Sequence, residues 1–234
     1  MNYRIICDYE ELNNFIKFLP ELKDNETFYF SLLARDKYIR ELGIGTFHSD
    51  KHQCARWISN DVSRLPVKLK QLESVKGSYS LKGTEIPQEA LASYVTINPR
   101  CQIKATKRLL HRTADIITGN ETRVNVYQEA LTAIHKSISR KVYVDVDFDG
   151  PTPEDVIPTM KDMINLNCVS ILLTRGGFHA LIRLDAIEDK YIKSWYRNIT
   201  SIPRADIVGD NMIPIPGTYQ GGWVPRLYSA NYYI

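Results

Sequence analysis

A chain of 234 residues with 44% hydrophobic and 24% charged side chains has the make-up of a globular protein, large enough for one core or for two subdomains that share one, which excludes disorder. No apolar run is long enough to cross a bilayer, and residues 1–8 do not read as a signal peptide, so a cytoplasmic protein with no membrane partner is expected. The formal charge of +3 neither demands nor excludes a polyanionic partner.

Residues 8–19 read as a short helix, and residues 27–33 as a strand that leaves through the charged segment 34–38. Helical patterning resumes over 54–72. Gly77, Gly83 and Pro87 then punctuate a loop-rich stretch, a short helix is expected at 87–92, and a strand at 93–97 ends in Asn98-Pro99-Arg100. The helix-rich connection 101–138 carries Lys104, Lys107, Arg108, Arg112 and Arg123, preceded by Lys68, Lys70, Lys76 and Lys82, and gives the middle of the chain a positive character. A solvated helix face accounts for most of these charges.

Cysteines at 7, 54, 101 and 168 are scattered without a Cys-x-x-Cys pair, so reduced thiols are expected. His48, His52 and Cys54 stand close together, but no fourth ligand follows at regular spacing and zinc is not expected.

The segment 142–149 alternates as a strand. Val142, Val144, Val146 and Phe148 mark one buried face, and Asp145, Asp147 and Asp149 fall on the other. Side chains at i and i+2 start about 6.5 to 7 Å apart, so Asp145 and Asp147 can converge on one small volume. There they would repel each other unless a cation sat between them. Asp149, before Gly150, suits an exit turn instead.

Thr152 can cap a helix with Pro153 at its first position, running to about residue 165. Strands at 168–174 and 178–184 follow, joined by the tight turn Arg175-Gly176-Gly177, and a second helix is expected at 187–199. Alternation leaves His179, Leu181 and Arg183 on the face opposite Phe178, Ala180, Ile182 and Leu184. Backbone N–H groups of Gly176 and Gly177 can approach an anion closely, and Arg175 and His179 supply donors suited to phosphate oxygens. The β-α-β-β-α order is that of an RRM-like or ferredoxin-like sheet with helices on one side. A further acid, Asp206 or Asp210, precedes a short apolar strand and the turn Pro216-Gly217.

Taken in order, these segments resemble the archaeo-eukaryotic primase superfamily, and in particular the primase-polymerase domains of phages and plasmids. Val144-Asp145-Val146-Asp147 is similar to that family's hydrophobic-Asp-hydrophobic-Asp strand, and Thr174-Arg175-Gly176-Gly177-Phe178-His179 to its small-residue hairpin ending in histidine. Ala205-Asp206 with Ile215-Pro216-Gly217-Thr218 approximates its acid before a Leu-Pro-Gly-Thr-like turn, and Asn98-Pro99-Arg100 is similar to its Asn-Pro-Arg strand end. The resemblance covers about residues 93–222. Where relatives often carry Arg before the turn, this chain has Pro214, so that contact is either lost or supplied by Arg226.

The resemblance implies an α+β primase-polymerase fold: an N-terminal α/β subdomain with a basic helical segment, residues 1–140, and an RRM-like catalytic subdomain, residues 141–234, together forming one catalytic domain. It implies that Asp145, Asp147 and Asp206, with Asp210 in reserve, hold two Mg²⁺ or Mn²⁺ ions about 3.5 to 4 Å apart. His179 would bind the phosphates of the incoming dNTP or NTP together with Arg175, Gly176 and Gly177. Arg183 and Arg100 would contact triphosphate or template, and Arg100, Lys104, Lys107 and Arg108 would track the backbone of a single-stranded DNA template. A helicase domain or subunit is the partner that such proteins commonly add. The expected activity is DNA primase and polymerase chemistry, a nucleotidyl transfer. Two alternatives stand beside it. One is a non-catalytic module that binds single-stranded nucleic acid through Tyr143 and Phe148; the other is a metal-dependent replication-initiator nuclease, which would need a His-x-His pair that His179-Ala180-Leu181 lacks.

Overall fold

The computed structural model describes residues 1–43, 45–46, 50–119 and 123–233. The chain begins with α1 (Tyr9–Phe18), β1 (Glu26–Arg35), α2 (Asp36–Glu41), β2 (Lys51–Ser59) and α3 (Leu65–Gln71). The two-residue strands β3 (Ser80–Leu81) and β4 (Thr84–Glu85) precede β5 (Leu91–Thr96), β6 (Arg100–Cys101), α4 (Gln102–Thr118) and α5 (Val126–His135). Then come β7 (Tyr143–Asp149), α6 (Pro153–Met160), β8 (Val169–Leu173), β9 (Gly177–Arg183), α7 (Trp195–Thr200), β10 (Ala205–Gly209), β11 (Met212–Pro214) and β12 (Arg226–Ser229). The architecture is α+β with antiparallel sheets. No helix among the described residues is long and apolar enough to cross a membrane.

Local chemistry explains the starts of α1 and α6. Asp8 accepts from the Glu11 N–H at 3.0 Å and caps α1. The Asp155 carboxylate accepts from both the Thr152 N–H at 3.0 Å and the Thr152 hydroxyl at 2.8 Å, so the capped start expected at Thr152 and Pro153 is present. α6 nevertheless stops at Met160 rather than near 165, and α7 spans only Trp195–Thr200, at the end of the expected 187–199. The larger correction is at 54–59, where a strand replaces the expected helix. β2 pairs along β1 from Lys51 to Ser59, and its Trp57 stacks on Phe30 with ring centroids 5.3 Å apart. Pairing with a buried neighbour outweighs the weak helical preference of this segment.

Two five-stranded sheets organise the fold. The first runs β11-β5-β1-β2, with β6 also paired to β1; the second runs β10-β7-β9-β8-β12. One face of the second sheet, with Val146, Phe148, Phe178 and Ala180, packs against Val156 and Ile157 of α6 and Ile199 of α7. From its other face, Tyr143, Leu172 and Leu181 enter the main core, built on β1, β5, α1 and α3. Because strand side chains alternate, Asp145, Asp147 and His179 share this second face and look toward the first sheet.

The junction between the sheets is polar and largely buried, with Asn98 and Arg100 in the interior. Asn98, just after β5, accepts from the Val142 and Tyr143 N–H groups at 2.7 and 2.9 Å and donates to the Tyr143 carbonyl at 3.0 Å and to Asp210 Oδ1 at 2.9 Å. Asp210 sits where the chain leaves β10 in the second sheet for β11 in the first, and it pairs with the Arg100 guanidinium. Asn98 and Asp210 thus tie the start of β7 to the end of β5, setting how far the acidic strand stands from the opposite sheet. The chain position 140 does not separate the sheets in space, since β11 returns to the sheet of the N-terminal half.

Candidate functional site

Asp145, Asp147 and Asp149 line a cleft of about 390 Å³ between the sheets, together with Thr174, Gly176 and His179. Arg35, Lys37, Tyr38, Lys51 and Tyr94 face them from the first sheet and the segment after it. An acidic floor therefore meets a basic wall.

His179 is central to the floor. Opposite Asp147 in the β7–β9 register, it places Nδ1 2.9 Å from Asp145 Oδ1 and Nε2 3.8 Å from Asp147 Oδ1. Burial alone would lower its pKa, but Asp145, then Asp147 and Asp149, outweigh burial and hold the imidazole above its ordinary value. Burial raises the Asp147 carboxyl, Asp149 and Asp145 add to the rise, and His179 opposes it. Asp145 is completely buried, and its Oδ2 has no hydrogen-bond partner among the described residues. A carboxylate oxygen in that state is costly unless a cation reaches it.

The titration has a consequence for stability with a definite sign. A histidine whose pKa is raised on folding stabilises the native state below its unfolded value and loses that contribution as pH rises through its folded value. Asp147, also raised, acts in the same sense at the acid end. Native-state stability measured by urea unfolding should fall from pH 6 upward through the folded His179 value, and His179→Gln should flatten that slope. Equal slopes in parent and variant would remove the coupling.

The hairpin that presents His179 depends on glycine at one position. A Cβ on Gly177 would lie 2.0 Å from the Phe148 carbonyl oxygen, so no other residue permits the pairing of Gly177 with Asp149. Gly176 lines the cleft; a Cβ there would meet Asp149 Oδ1 at 3.6 Å and Lys37 Nζ at 3.9 Å.

The other expected residues take different places. Asp206 stands opposite Asp147 on β10 but is exposed and does not line the cleft. Among the described residues no group of three or more His, Cys, Asp or Glu side chains is gathered into a metal-holding cluster. The reserve acid, Asp210, is engaged by Asn98 and Arg100. Arg100 itself is 1% exposed, so the expected surface contact with triphosphate or template is corrected to an interior ion pair. Arg183 pairs with Asp185 at 2.7 Å and lines a separate cavity beside Tyr143, not the acidic cleft. Arg175 packs over Tyr38, 4.7 Å from the ring centroid, and pairs with Glu41 at 2.7 Å. Lys104, Lys107 and Arg108 are exposed on α4, where Lys104 caps the Ile138 carbonyl at 2.9 Å and Arg108 reaches the Lys136 carbonyl at 3.4 Å. Pro214 lines the cleft, and Arg226 is exposed on β12. His48 lies outside the described residues; Cys54 packs against the main core, and burial pushes its thiol up to about 12.

Sequence reasoning missed the basic wall. Arg35 donates to the Tyr94 hydroxyl at 2.5 Å. Partial burial, then Arg35, pulls the Lys51 ammonium below its ordinary value, and Lys37 adds to this crowding of like charge. An anion between these cations would relieve it. The available signal was the charged exit at 34–38, which places Arg35 and Lys37 at the end of a buried strand. Nothing local marked Lys51. The chain matches no family model, no curated protein and no solved structure.

Proposed function

We propose that this protein is a metal-dependent nucleotidyltransferase of the primase-polymerase type, extending a strand templated by single-stranded DNA, and that its α+β architecture is a form of the primase-polymerase fold. The observation that carries this reading is the buried carboxylate of Asp145, one oxygen without a hydrogen-bond partner among the described residues, facing Arg35, Lys37 and Lys51 across the cleft. That arrangement suits a divalent cation bridged to a polyphosphate. Asp145 and Asp147 would hold Mg²⁺ or Mn²⁺, without Asp206, which stands opposite Asp147 on the neighbouring strand but does not line the cleft. When bound, the metal supplies charge neutralisation at the phosphate oxygens and lowers the pKa of the attacking hydroxyl.

The chain's own residues do the rest. Arg35, Lys37 and Lys51 draw the triphosphate to the wall. His179, held by Asp145, offers its second ring nitrogen toward the phosphates. Burial, then Tyr94, keeps the Tyr38 phenol above the ordinary tyrosine range, so it remains a neutral wall on which Arg35 and Arg175 rest.

Incubating the protein with primer-free single-stranded DNA, labelled nucleotides and Mn²⁺ tests the reading against Asp145→Ala/Asp147→Ala. The native chain should yield extended product and the variant none. Shortened DNA would indicate a nuclease, and absence of product from the native chain would leave a binding module. A second readout does not need turnover. Mn²⁺ at about a hundred times its Kd should stabilise the native chain by about 2.7 kcal/mol and raise Tm by several degrees. The double variant should show no such rise.

A further inference from the structure

A second cavity, of about 500 Å³, meets the acidic cleft at Thr174 and Gly176, which line both. Its walls are aromatic: Trp223, Tyr228, Tyr232 and Tyr233 face Gly150 and Pro151. Tyr228 and Tyr232 stack with centroids 5.5 Å apart, and Tyr233 stands edge-on to Tyr232 at 5.3 Å. Although clustered, these rings keep open faces, since Trp223 is 47% and Tyr232 73% exposed. Soluble proteins seldom leave such a group uncovered without a ligand.

Two arginines flank it. Arg226 is two residues before Tyr228 on β12, on the same strand face. Arg204 Nη1 lies 3.0 Å from the position a Cβ would take on Gly150. Glu154 is the single acid among the described lining residues.

We propose that this groove binds single-stranded nucleic acid by stacking its unpaired bases on Trp223 and Tyr232, with Arg204 and Arg226 on its phosphates. Planar bases fit open aromatic faces, and flanking cations fit a backbone charged at every nucleotide; a groove that opens into the acidic cleft delivers such a strand to it. That last role, as the template path, rests on the polymerase reading above. The stacking does not. It also moves the template track from the basic face of α4, where Lys104 and Arg108 are occupied in capping carbonyls, to the C-terminal aromatic segment.

The test is a fluorescence-anisotropy titration with labelled oligo(dT) and an abasic oligonucleotide of equal length, in EDTA, so that no divalent ion contributes. Oligo(dT) should bind the native chain, weaken roughly tenfold with Trp223→Ala and further with Trp223→Ala/Tyr232→Ala, and recover with Trp223→Phe. The abasic strand should bind weakly and ignore all three changes. Equal binding of both strands, indifference of oligo(dT) to the variants, or binding of a proline-rich peptide in place of oligo(dT) would overturn the proposal. Mn²⁺-dependent stabilisation, measured in parallel, separates the two ideas. It should survive Trp223→Ala, and its absence from the native chain while oligo(dT) binding still depends on Trp223 would sink the reading of the cleft and leave the groove standing.

Discussion

Replacing Asp147 by Asn should lower nucleotide incorporation on the order of 10³-fold while leaving Tm unchanged or higher. Asp147 is raised first by burial and then by Asp149 and Asp145, so the native state holds a carboxylate that it would rather see neutral. The amide keeps the shape and removes the repulsion, at the expense of the proposed metal ligand. Asp145→Asn makes the contrasting case. It should be equally inactive but less stable, because Asp145 is fully buried and its Oδ1 holds His179 Nδ1 at 2.9 Å. Primer-extension assays and thermal melts on the two variants check both halves. Incorporation by Asp147→Asn within tenfold of the parent would remove this carboxylate from the chemistry, and unfolding of Asp147→Asn would mark it as structural.

Arg100→Met should cost about 3–5 kcal/mol, with a fall in Tm of roughly 6–20 °C. The guanidinium is buried against Asp210, and burial lowers its pKa while Asp210 raises it. Removing it strands a carboxylate that also holds Asn98, and Asn98 carries the first backbone groups of β7. Its Nε and Nη2 have no hydrogen-bond partner among the described residues, so the cation itself is expensive to keep. Arg100→Met/Asp210→Asn should accordingly regain much of the loss, and a double-mutant cycle by urea unfolding measures the coupling. A single-variant loss under 1 kcal/mol would mean that the ion pair does not hold the sheets.

Much of the floor of the site was legible because strand side chains repeat every two residues. Val144, Val146 and Phe148 declare one face of β7, so Asp145 and Asp147 had to occupy the other, and the same alternation put His179 opposite Phe178. Gly177 was legible as a turn residue, though not the reason only glycine fits there, which is the Phe148 carbonyl on the neighbouring strand. β2 was misread because its preference for strand comes from β1 beside it and not from its own pattern. Arg100, expected from the resemblance to contact triphosphate or template, is interior because Asp210, 110 residues later, meets it.

By itself the sequence determined the local periods: which side chains share a strand face, where Thr152 starts a helix, and that acids lie on one strand and a histidine on another. Only the tertiary structure decided what those acids face. Arg35, Lys37 and Lys51 arrive from a different sheet, and Trp223 joins Tyr232 beside Gly176, through contacts between residues far apart in the chain. Side-chain alternation is a property of a few consecutive residues. The spacing and charge across a cleft depend on how two sheets pack, and that is set by the buried junction of Asn98, Arg100 and Asp210.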